Sequence, residues 1–416
     1  MKLLVFAHTP PPHHGQSYMV KLMLDGFGGD CRKKKQKTSN AFGIECYHVN
    51  ARYSKTLGDV GEFQGSKIFL ILFFCLQAIW CRLRHGVTNL YYVPAPGKAV
   101  AVYRDWLVMF VCRPFFKKII LHWHAAGLAK WLETSVQIRS RALTYRLFEP
   151  VDLSIVLSRY NLADAEKLLS RHIRVVGNGA PDPCPDFAQS ILPLRRARVA
   201  ARNRLFAGEK LGAAETAQAG GDPQVVKILF LAHCMREKGL FDALEGVVLA
   251  GAQLQKMNSP LQLHLAVAGE FASQREQSEF NRRVAQFATE NAPPAAVTYL
   301  GFLSGEQKRR AFVESDCFCF PTFYHAESFG LVLIEAMTYG LPIVTTRWRS
   351  IPELFPENYP GLVDIRSPTQ IAHALIRLAT GTHDWPAQLR DIFKKEFTVE
   401  HHLASVAEAI HSVENI

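Results

Sequence analysis

Short, continuous apolar runs recur along this chain and predict strands that are buried on both faces. Two of them are nearly alike: residues 3–8 read LLVFAH and residues 228–233 read ILFLAH, and each leads to a glycine and a helical pattern. Such runs are typical of parallel sheets with helices on both faces. Similar runs predict strands at 90–93, 118–123, 153–157, 174–176, 261–268, 297–300, 317–321 and 342–345. Because helical patterns lie between these runs, the sequence predicts a doubly wound α/β architecture that occurs twice.

The composition changes between the two predicted α/β regions. A basic segment follows the sequence NGAPDP at 178–183, and residues 208–223 are rich in Gly, Ala and Gln, as in a loose linker. A chain of 416 residues is long enough for two domains. We therefore predict an N-terminal domain over 1–185, a linker over 186–224, a C-terminal domain over 225–395 and a terminal helix over 396–416.

One segment, 68–80, is almost entirely apolar and reads IFLILFFCLQAIW. A membrane-spanning helix needs about 20 such residues, so the segment predicts a buried core helix. A helix that lies in the plane of a membrane is the alternative, although polar and apolar faces do not alternate here. The apolar run at the start of the chain is too short for a signal peptide and is interrupted by prolines.

The net charge of +11 calls for an anionic partner or surface. Its local sources are the basic run at 31–37 and the arginines between 195 and 204. Solvated loops and a solvated helix face are one interpretation. The other is an anionic membrane surface, which attracts each nearby basic residue by about 1 kcal/mol. No recognition module for nucleic acid accompanies the charge, so we expect no nucleic-acid partner.

The nine cysteines are scattered and form no CxxC pair. An odd number of cysteines in apolar runs is typical of buried thiols in a reducing cytoplasm rather than of a disulfide framework.

The segment 321–353 carries the most specific chemical pattern. Glu327 and Glu335 lie eight positions apart, on either side of a Phe329-Gly330 turn that precedes an apolar helical pattern. A carboxylate inside such a helix needs a partner if it is buried. Gly330 allows close approach of a ligand to the backbone, and the N–H groups at a helix start bind anions. The segment therefore indicates a ligand that is both hydroxylated and anionic. A core helix whose glutamate pairs with a neighbouring arginine is the alternative.

This pattern resembles the E-x7-E signature of retaining glycosyltransferases of family 4, which have the GT-B fold. The match reads ESFGLVLIE at 327–335, continues with Ala336 and Met337, and includes GLPIV at 340–344. The resemblance implies two Rossmann-like domains that face each other across a cleft. It also implies metal-independent sugar transfer, with retention of configuration, from a nucleotide-sugar donor to a saccharide or lipid-linked acceptor, and no cofactor. Polysaccharide, lipopolysaccharide or glycolipid assembly is the usual role, in the cytoplasm or peripherally on the inner face of the membrane.

The resemblance also assigns roles to individual residues. Glu327 would bind hydroxyls of the donor sugar and Glu335 those of the ribose. The turn at Gly301 and Phe302 would pack on the nucleotide base. The backbone of three consecutive residues would hold the diphosphate: Phe329, Gly330 and Leu331.

Lys238 resembles the lysine of the family's GRLxxxKG-like loop, which contacts the donor phosphates. The Gly-Arg pair that usually precedes it is replaced by Ala232 and His233. Either His233 or Arg236 would have to supply the missing charge, and we favour Arg236 because a guanidinium is always protonated. An ordinary surface lysine in a turn is the alternative for Lys238.

Gly15 and His124 follow two of the predicted strands. Gly15 stands where the family has a pair of glycines, and His14 replaces the other one. His124 resembles the family's cleft histidine near the reacting carbon, with a core histidine as the alternative. His122 and His124 share a strand face, but the chain has no D-x-D motif, and we expect no metal.

Other functions match less of the sequence. A sugar-nucleotide epimerase would lack the ESFG and LIEAM pattern, and a phosphorylase would need a cofactor lysine in its usual context. A dinucleotide oxidoreductase would need GxGxxG after an opening strand, which is absent. Outside enzymes, the altered pair Ala232 and His233 leaves open a catalytically impaired sugar-nucleotide-binding protein or a membrane-associated scaffold of the same fold.

Overall fold

Two parallel sheets organise the chain, one in each of two units. The computed structural model describes residues 1–11, 15–33, 41–53, 65–289 and 295–415. Unit 1 comprises Met1–Gly179, Ala326–Phe329 and Val399–Ile416, and unit 2 comprises Ala180–His325 and Gly330–Thr398.

Unit 1 alternates strands and helices from its first residue. In chain order its elements are β1 (Lys2–Phe6), α1 (Gly15–Gly26), β2 (Glu45–Val49), α2 (Gly65–His85), β3 (Asn89–Tyr92), α3 (Ala99–Cys112), β4 (Lys118–His122), α4 (Leu128–Ser135), α5 (Ile138–Phe148), β5 (Val151–Val156), α6 (Leu162–Lys167) and β6 (Ser170–Val175). The strands form one parallel sheet in the order β2-β1-β3-β4-β5-β6. The order reverses between β1 and β3, which is where ligands bind in such sheets.

The sheet of unit 1 is buried on both faces, as its apolar runs predict. Leu4 and Phe6 of β1 belong to one core cluster, whereas Leu3 and Val5 belong to a second one. Successive side chains of a strand point to opposite faces, so the two clusters lie on the two sides of the sheet.

Unit 2 repeats this plan after three helices. Its elements are α7 (Phe187–Ser190), α8 (Leu192–Phe206), α9 (Ala213–Gln218), β7 (Val225–Leu231), α10 (Leu240–Lys256), β8 (Gln262–Ala268), α11 (Gln274–Thr289), β9 (Ala295–Gly301), α12 (Gly305–Glu314), β10 (Cys317–Phe320), α13 (Leu331–Thr338), β11 (Ile343–Thr346), β12 (Leu362–Val363), α14 (Pro368–Thr380) and α15 (Trp385–Glu396). The parallel sheet has the order β12-β11-β10-β7-β8-β9, which reverses between β7 and β10. The predicted doubly wound architecture is therefore confirmed in both units.

The last helix, α16 (Val399–His411), returns to unit 1. Val406 and Ile410 are fully buried and join the core cluster of Leu3 and Val5. The C-terminal segment therefore completes one face of the first sheet.

The segment 186–224 differs from the expected loose linker. It forms α7, α8 and α9, and all three helices lie in unit 2. Two of the arginines of α8, Arg195 and Arg202, are buried rather than part of a solvated face. Arg195 donates to the carbonyl oxygens of Tyr339, Ser315 and Phe312 at 3.0, 2.6 and 3.0 Å, and Arg202 pairs with Asp316 at 2.6 Å. Of the basic run at 31–37, residues 34–37 lie outside the described residues.

The prediction of a buried core helix over 68–80 is wrong for one face of α2. Phe69 is 77% exposed and Phe73 is 60% exposed, whereas Cys75 and Ala78 are fully buried. When a helix has apolar residues on all of its faces, the sequence does not show which face packs against the rest of the protein. Eight of the nine cysteines are buried, as expected of thiols in apolar runs, and Cys31 is half-buried; none of the nine takes part in a disulfide bond.

Candidate functional site

The loop after β7 places Lys238 beside the end of β10. Arg236–Lys238 forms a single 3-10 turn that ends at Gly239, whose φ of 83° lies in the left-handed region. A Cβ atom at this position would lie 2.2 Å from the carbonyl oxygen of Pro321, so a glycine is required there. The KG dipeptide of the sequence thus has a steric reason.

Hydrogen bonds join this loop to the segment that follows β10. The N–H of Phe323 donates to the carbonyl oxygen of Glu237 at 2.8 Å, and the Glu237 side chain lies 3.1 Å from Nδ1 of His325. The Nζ atom of Lys238 lies 4.6 Å from the ring centroid of Tyr324 and 5.6 Å from that of Phe320. Lys238 therefore lies at the β7–β10 switch point of the second sheet.

The two candidates for the missing positive charge have different surroundings. The Arg236 guanidinium lies over the Phe241 ring at 4.6 Å and 3.7 Å from the Glu279 carboxylate, so α10 and α11 engage it. Burial and the neighbouring Lys238 lower the pKa of His233, which favours a neutral imidazole at pH 7. The lowered pKa makes His233 the weaker candidate for the missing positive charge.

The E-x7-E segment, residues 327–335, comes after β10 and ends within α13. Gly330 precedes α13 with φ 80° and ψ 60°, a left-handed conformation that favours glycine. Both carboxylate oxygens of Glu335 lie 2.9 Å from Nζ of Lys308 on α12, and the two side chains are 35% and 31% exposed. The expectation of a fully buried carboxylate is therefore corrected: Glu335 is partly exposed, and its partner is a lysine. No motif in the sequence marks Lys308.

The turn after β9 adds an exposed aromatic side chain. Gly301 accepts a hydrogen bond from the N–H of Gly269 at 2.8 Å, and the Tyr299 hydroxyl donates to the Gly269 carbonyl at 2.8 Å. Phe302, which follows, is 67% exposed. A ring in this position can stack on a planar ligand.

The predicted donor-binding residues of unit 2 thus gather at one edge of its sheet. They follow β7, lie at or just after the end of β9, or precede and belong to α13, which comes after β10; β10, β7, β8 and β9 are successive neighbours in the sheet. The members are Arg236, Lys238, Gly301, Phe302, Gly330, Leu331 and Glu335. The carboxyl edge of a doubly wound sheet is the usual place for a ligand.

Unit 1 holds the remaining predicted residues. Gly15 begins α1, whereas residues 12–14, including His14, lie outside the described residues. His124 is half-buried just beyond β4, and its ring centroid lies 4.2 Å from that of His122. His122 Nδ1 lies 2.6 Å from the Tyr91 hydroxyl, and burial holds the pKa of His122 well below its ordinary value. His122 is therefore a neutral core residue, in contrast to the half-buried His124.

The short segment Ala326–Phe329 also belongs to unit 1. The Ser328 hydroxyl donates to the carbonyl oxygen of His124 at 2.8 Å. Glu327 precedes Ser328 and is half-buried, and Phe329 is buried. This hydrogen bond joins the main chain at His124 to the residue that follows Glu327 in the sequence.

The comparisons with known proteins concern the fold and part of the sequence. The structure of Anabaena HepE in complex with UDP is similar over 99% of this chain and 100% of that chain, with a TM-score of 0.61 and 15% identity. At that identity the likeness concerns the fold, which is GT-B. Residues 215–396 match the family described as Glycosyl transferases group 1.

Curated relatives match shorter segments. The chain is 34% identical to the sulfoquinovosyl transferase SQD2 of Arabidopsis thaliana over 103 residues, which are 24% of this chain and 19% of the relative. It is 31% identical to the D-inositol 3-phosphate glycosyltransferase of Pseudarthrobacter chlorophenolicus over 144 residues, which are 35% of this chain and 32% of the relative. These matches span about a fifth to a third of the relatives' lengths.

Proposed function

We propose that this protein transfers a sugar from a nucleotide-sugar donor to a saccharide or lipid-linked acceptor, with retention of anomeric configuration and without a metal ion. One observation carries the proposal. Lys238 follows β7, Gly330 directly precedes α13, and Glu335 lies within α13, which comes after β10; β7 and β10 are the neighbouring strands between which the order of the unit 2 sheet reverses. That edge offers a cation, backbone N–H groups and a carboxylate to a single ligand.

The chemistry requires the leaving nucleoside diphosphate to be stabilised as its negative charge develops. Lys238 supplies a positive charge, and the N–H groups at Phe329, Gly330 and Leu331 supply hydrogen-bond donors near the start of α13. These groups perform the task that a metal ion performs in other transferases. No D-x-D motif occurs in the sequence.

The remaining residues would position the sugar and the nucleoside. Glu327 would accept hydrogen bonds from sugar hydroxyls, near His124 and the reacting carbon. Glu335, held by Lys308, would accept those of the ribose, and Phe302 would pack on the base. UDP is the first nucleotide to test, because the HepE structure contains it.

The acceptor and the cellular role extend this proposal. We place the protein in the assembly of a cell-surface polysaccharide, lipopolysaccharide or glycolipid, in the cytoplasm or at the inner face of the membrane. The printed name of one relative, the D-inositol 3-phosphate glycosyltransferase, contains a hydroxylated phosphate compound, and this supports a hydroxylated acceptor.

One competing function has a specific observation in its favour. Ala232 and His233 replace the family's Gly-Arg pair, and burial and Lys238 lower the pKa of His233. A phosphate loop with less positive charge would suit a catalytically impaired sugar-nucleotide-binding or scaffold protein of the same fold.

Calorimetric binding of UDP, GDP and ADP in the presence of EDTA tests the donor site. We expect one of the three nucleotides to bind the wild-type chain, and Glu335→Ala to weaken its binding about tenfold or more, because a buried ribose hydroxyl loses its acceptor. Glu306→Ala removes an exposed carboxylate from α12 and is the matched control. If none of the nucleotides binds, or if Glu335→Ala binds like the control, the proposed donor site is incorrect.

A further inference from the structure

Helix α2 presents an exposed apolar stripe to solvent. The stripe consists of Phe69, Phe73, Leu76, Trp80 and Leu83, whose spacings of four and three residues place them on one face of the helix. Their exposed fractions are 77, 60, 64, 55 and 72%. Contiguous exposure of this kind marks an interaction surface in a soluble protein.

The opposite face of α2 belongs to the core of unit 1. Ile71 is 7% exposed, and Cys75, Ala78 and Cys81 are fully buried in one core cluster. By length and composition, Ile68–His85 is apolar enough to cross a membrane, with a mean hydropathy of 1.5. A crossing would withdraw these four side chains from the core, so the helix has to stay where it packs. Any lipid contact is therefore made in the plane of the membrane, by the exposed stripe alone.

The neighbouring helix adds exposed aromatic residues. Helix α3 packs on α2, and its Tyr103 and Phe110 are 53% and 70% exposed. Phe115, in the turn after α3, is 41% exposed, and its carbonyl oxygen accepts a hydrogen bond from Arg82 of α2 at 2.9 Å. Trp80 and Tyr103 are side chains of the type that is enriched at the interface between lipid and water.

The charge of this region identifies the kind of partner. Residues 65–118 contain eight Lys and Arg but only one acidic residue, Asp105. Asp105 is buried and pairs with Arg104 at 2.8 Å. The basic residues are Lys67, Arg82, Arg84, Lys98, Arg104, Arg113, Lys117 and Lys118. Two copies of this chain that met through the stripe would bring two such basic regions together, whereas anionic headgroups would neutralise one of them.

We infer that the exposed stripe of α2 inserts into the interfacial layer of an anionic lipid bilayer, with α2 parallel to the membrane plane. The aromatic and leucine side chains enter the boundary of the acyl chains, and the basic residues at the end of the helix contact lipid phosphates. The inference does not depend on the proposed sugar transfer, because the exposed stripe contains none of the residues that are predicted to bind the donor.

Co-sedimentation of the full chain with vesicles tests this inference. The vesicles contain phosphatidylcholine alone or an equal mixture of phosphatidylcholine and phosphatidylglycerol. We expect strong binding to the mixed vesicles, weak binding to phosphatidylcholine, and at least about tenfold weaker binding of Phe73→Ser/Trp80→Ser. Arg84→Gln/Lys117→Gln, which changes two exposed basic residues, should weaken binding to the anionic vesicles and reduce its salt dependence.

Met257→Ser/Phe206→Ser is the matched control, since it removes two exposed apolar side chains from unit 2. All variants change exposed side chains, so their circular dichroism and thermal unfolding should match the wild type. Quenching by brominated lipid should affect wild-type fluorescence more than that of Trp80→Phe. Equal vesicle binding by the wild type and Phe73→Ser/Trp80→Ser would overturn the inference. The inference would also be overturned if the wild type bound neither kind of vesicle. This includes the case in which the wild type forms a dimer that Phe73→Ser/Trp80→Ser abolishes.

Discussion

At the scale of single residues, Lys308 is the feature of the donor site that sequence motifs do not indicate. It holds both oxygens of Glu335 at 2.9 Å, so it fixes the carboxylate that would accept ribose hydroxyls. We expect Lys308→Met to weaken binding of the nucleotide that the wild type prefers by about 2- to 150-fold, since residues in contact couple by roughly 0.5–3 kcal/mol. Calorimetry on the variant measures this.

A double-mutant cycle separates positioning from a direct contact. If Lys308 acts through Glu335, Lys308→Met should have little further effect in a Glu335→Gln background. Arg310→Met changes an exposed cation of the same helix and serves as the control. Additive effects of the two substitutions would mean that Lys308 contacts the ligand itself or is not involved.

Asp242 provides a prediction about stability and pH. Burial, and then the neighbouring Glu245, raise the pKa of Asp242 to about 6, and one of its oxygens has no hydrogen-bond partner. The folded state therefore binds a proton more tightly than the unfolded state, and stability is lost as the pH rises from about 4 to about 6, with the full cost present above that range. At pH 8, Asp242→Asn should raise the free energy of unfolding by about 1–3 kcal/mol.

Urea unfolding of both proteins at pH 4, 6 and 8 checks this. The difference between variant and wild type should shrink as the pH falls and vanish near pH 4, where the aspartate is protonated in the folded state. Asp391→Asn, at an exposed position in α15, should show no such trend. If the free energies of unfolding of Asp242→Asn and the wild type differed by the same amount at every pH, the raised pKa of Asp242 would be contradicted.

At the scale of elements, α8 shows why charge is an incomplete guide to exposure. Arg195 is buried and donates to three main-chain carbonyl oxygens, and burial lowers its pKa to about 10, so it stays protonated at neutral pH. Arg195→Ala would leave those carbonyl groups without a donor. We expect the free energy of unfolding to fall by about 3–5 kcal/mol in urea titrations.

The next residue is a matched control on the same helix. Arg196 is 59% exposed and pairs with Asp384, so Arg196→Ala should cost less than about 1 kcal/mol. Equal effects of the two substitutions would show that the carbonyl contacts of Arg195 contribute little.

The strands with continuous apolar runs are predictable from the sequence, whereas two others are not. Strand β2 reads ECYHV, in which Glu45 and His48 break the apolar run, and β12 has only two residues. The apolar sequence of α2 predicts a core helix, because apolar residues occur on all of its sides. The sequence does not say which of these sides other elements cover. In the site, spacing predicts Glu327 and Glu335. Lys308 reaches Glu335 only through the packing of α12 near α13, which local sequence does not encode.

At the scale of the whole molecule, each unit has a reversal in strand order and carries predicted site residues near strand ends. Unit 1 carries His124 after β4 and Glu327 in the segment hydrogen-bonded to it. Unit 2 carries Lys238 and Glu335. The predicted chemistry is thus divided: unit 1 carries the residues assigned to the sugar and to catalysis together with Gly15 and Phe329, and unit 2 carries the other residues assigned to the nucleotide.

This division predicts a separation of effects. Substitutions in unit 2 should weaken nucleotide binding, whereas Glu327→Ala should reduce turnover and leave nucleotide affinity within a few-fold of the wild type. The reason is that Glu327 is assigned to the sugar, and interactions made in the transition state are typically worth about 10²–10³ in rate.

The release of nucleoside diphosphate from UDP-, GDP- and ADP-sugars, in the presence of EDTA, tests the central claim most directly. We predict that the wild-type chain releases one of the three diphosphates and that Glu327→Ala does so about 100-fold more slowly, with little change in affinity for that nucleotide. Turnover by Glu327→Ala at the wild-type rate would contradict the catalytic assignment. Nucleotide binding without turnover of any donor, in the presence of saccharide and lipid-linked acceptors, would contradict the proposed transferase and favour the catalytically impaired binding protein.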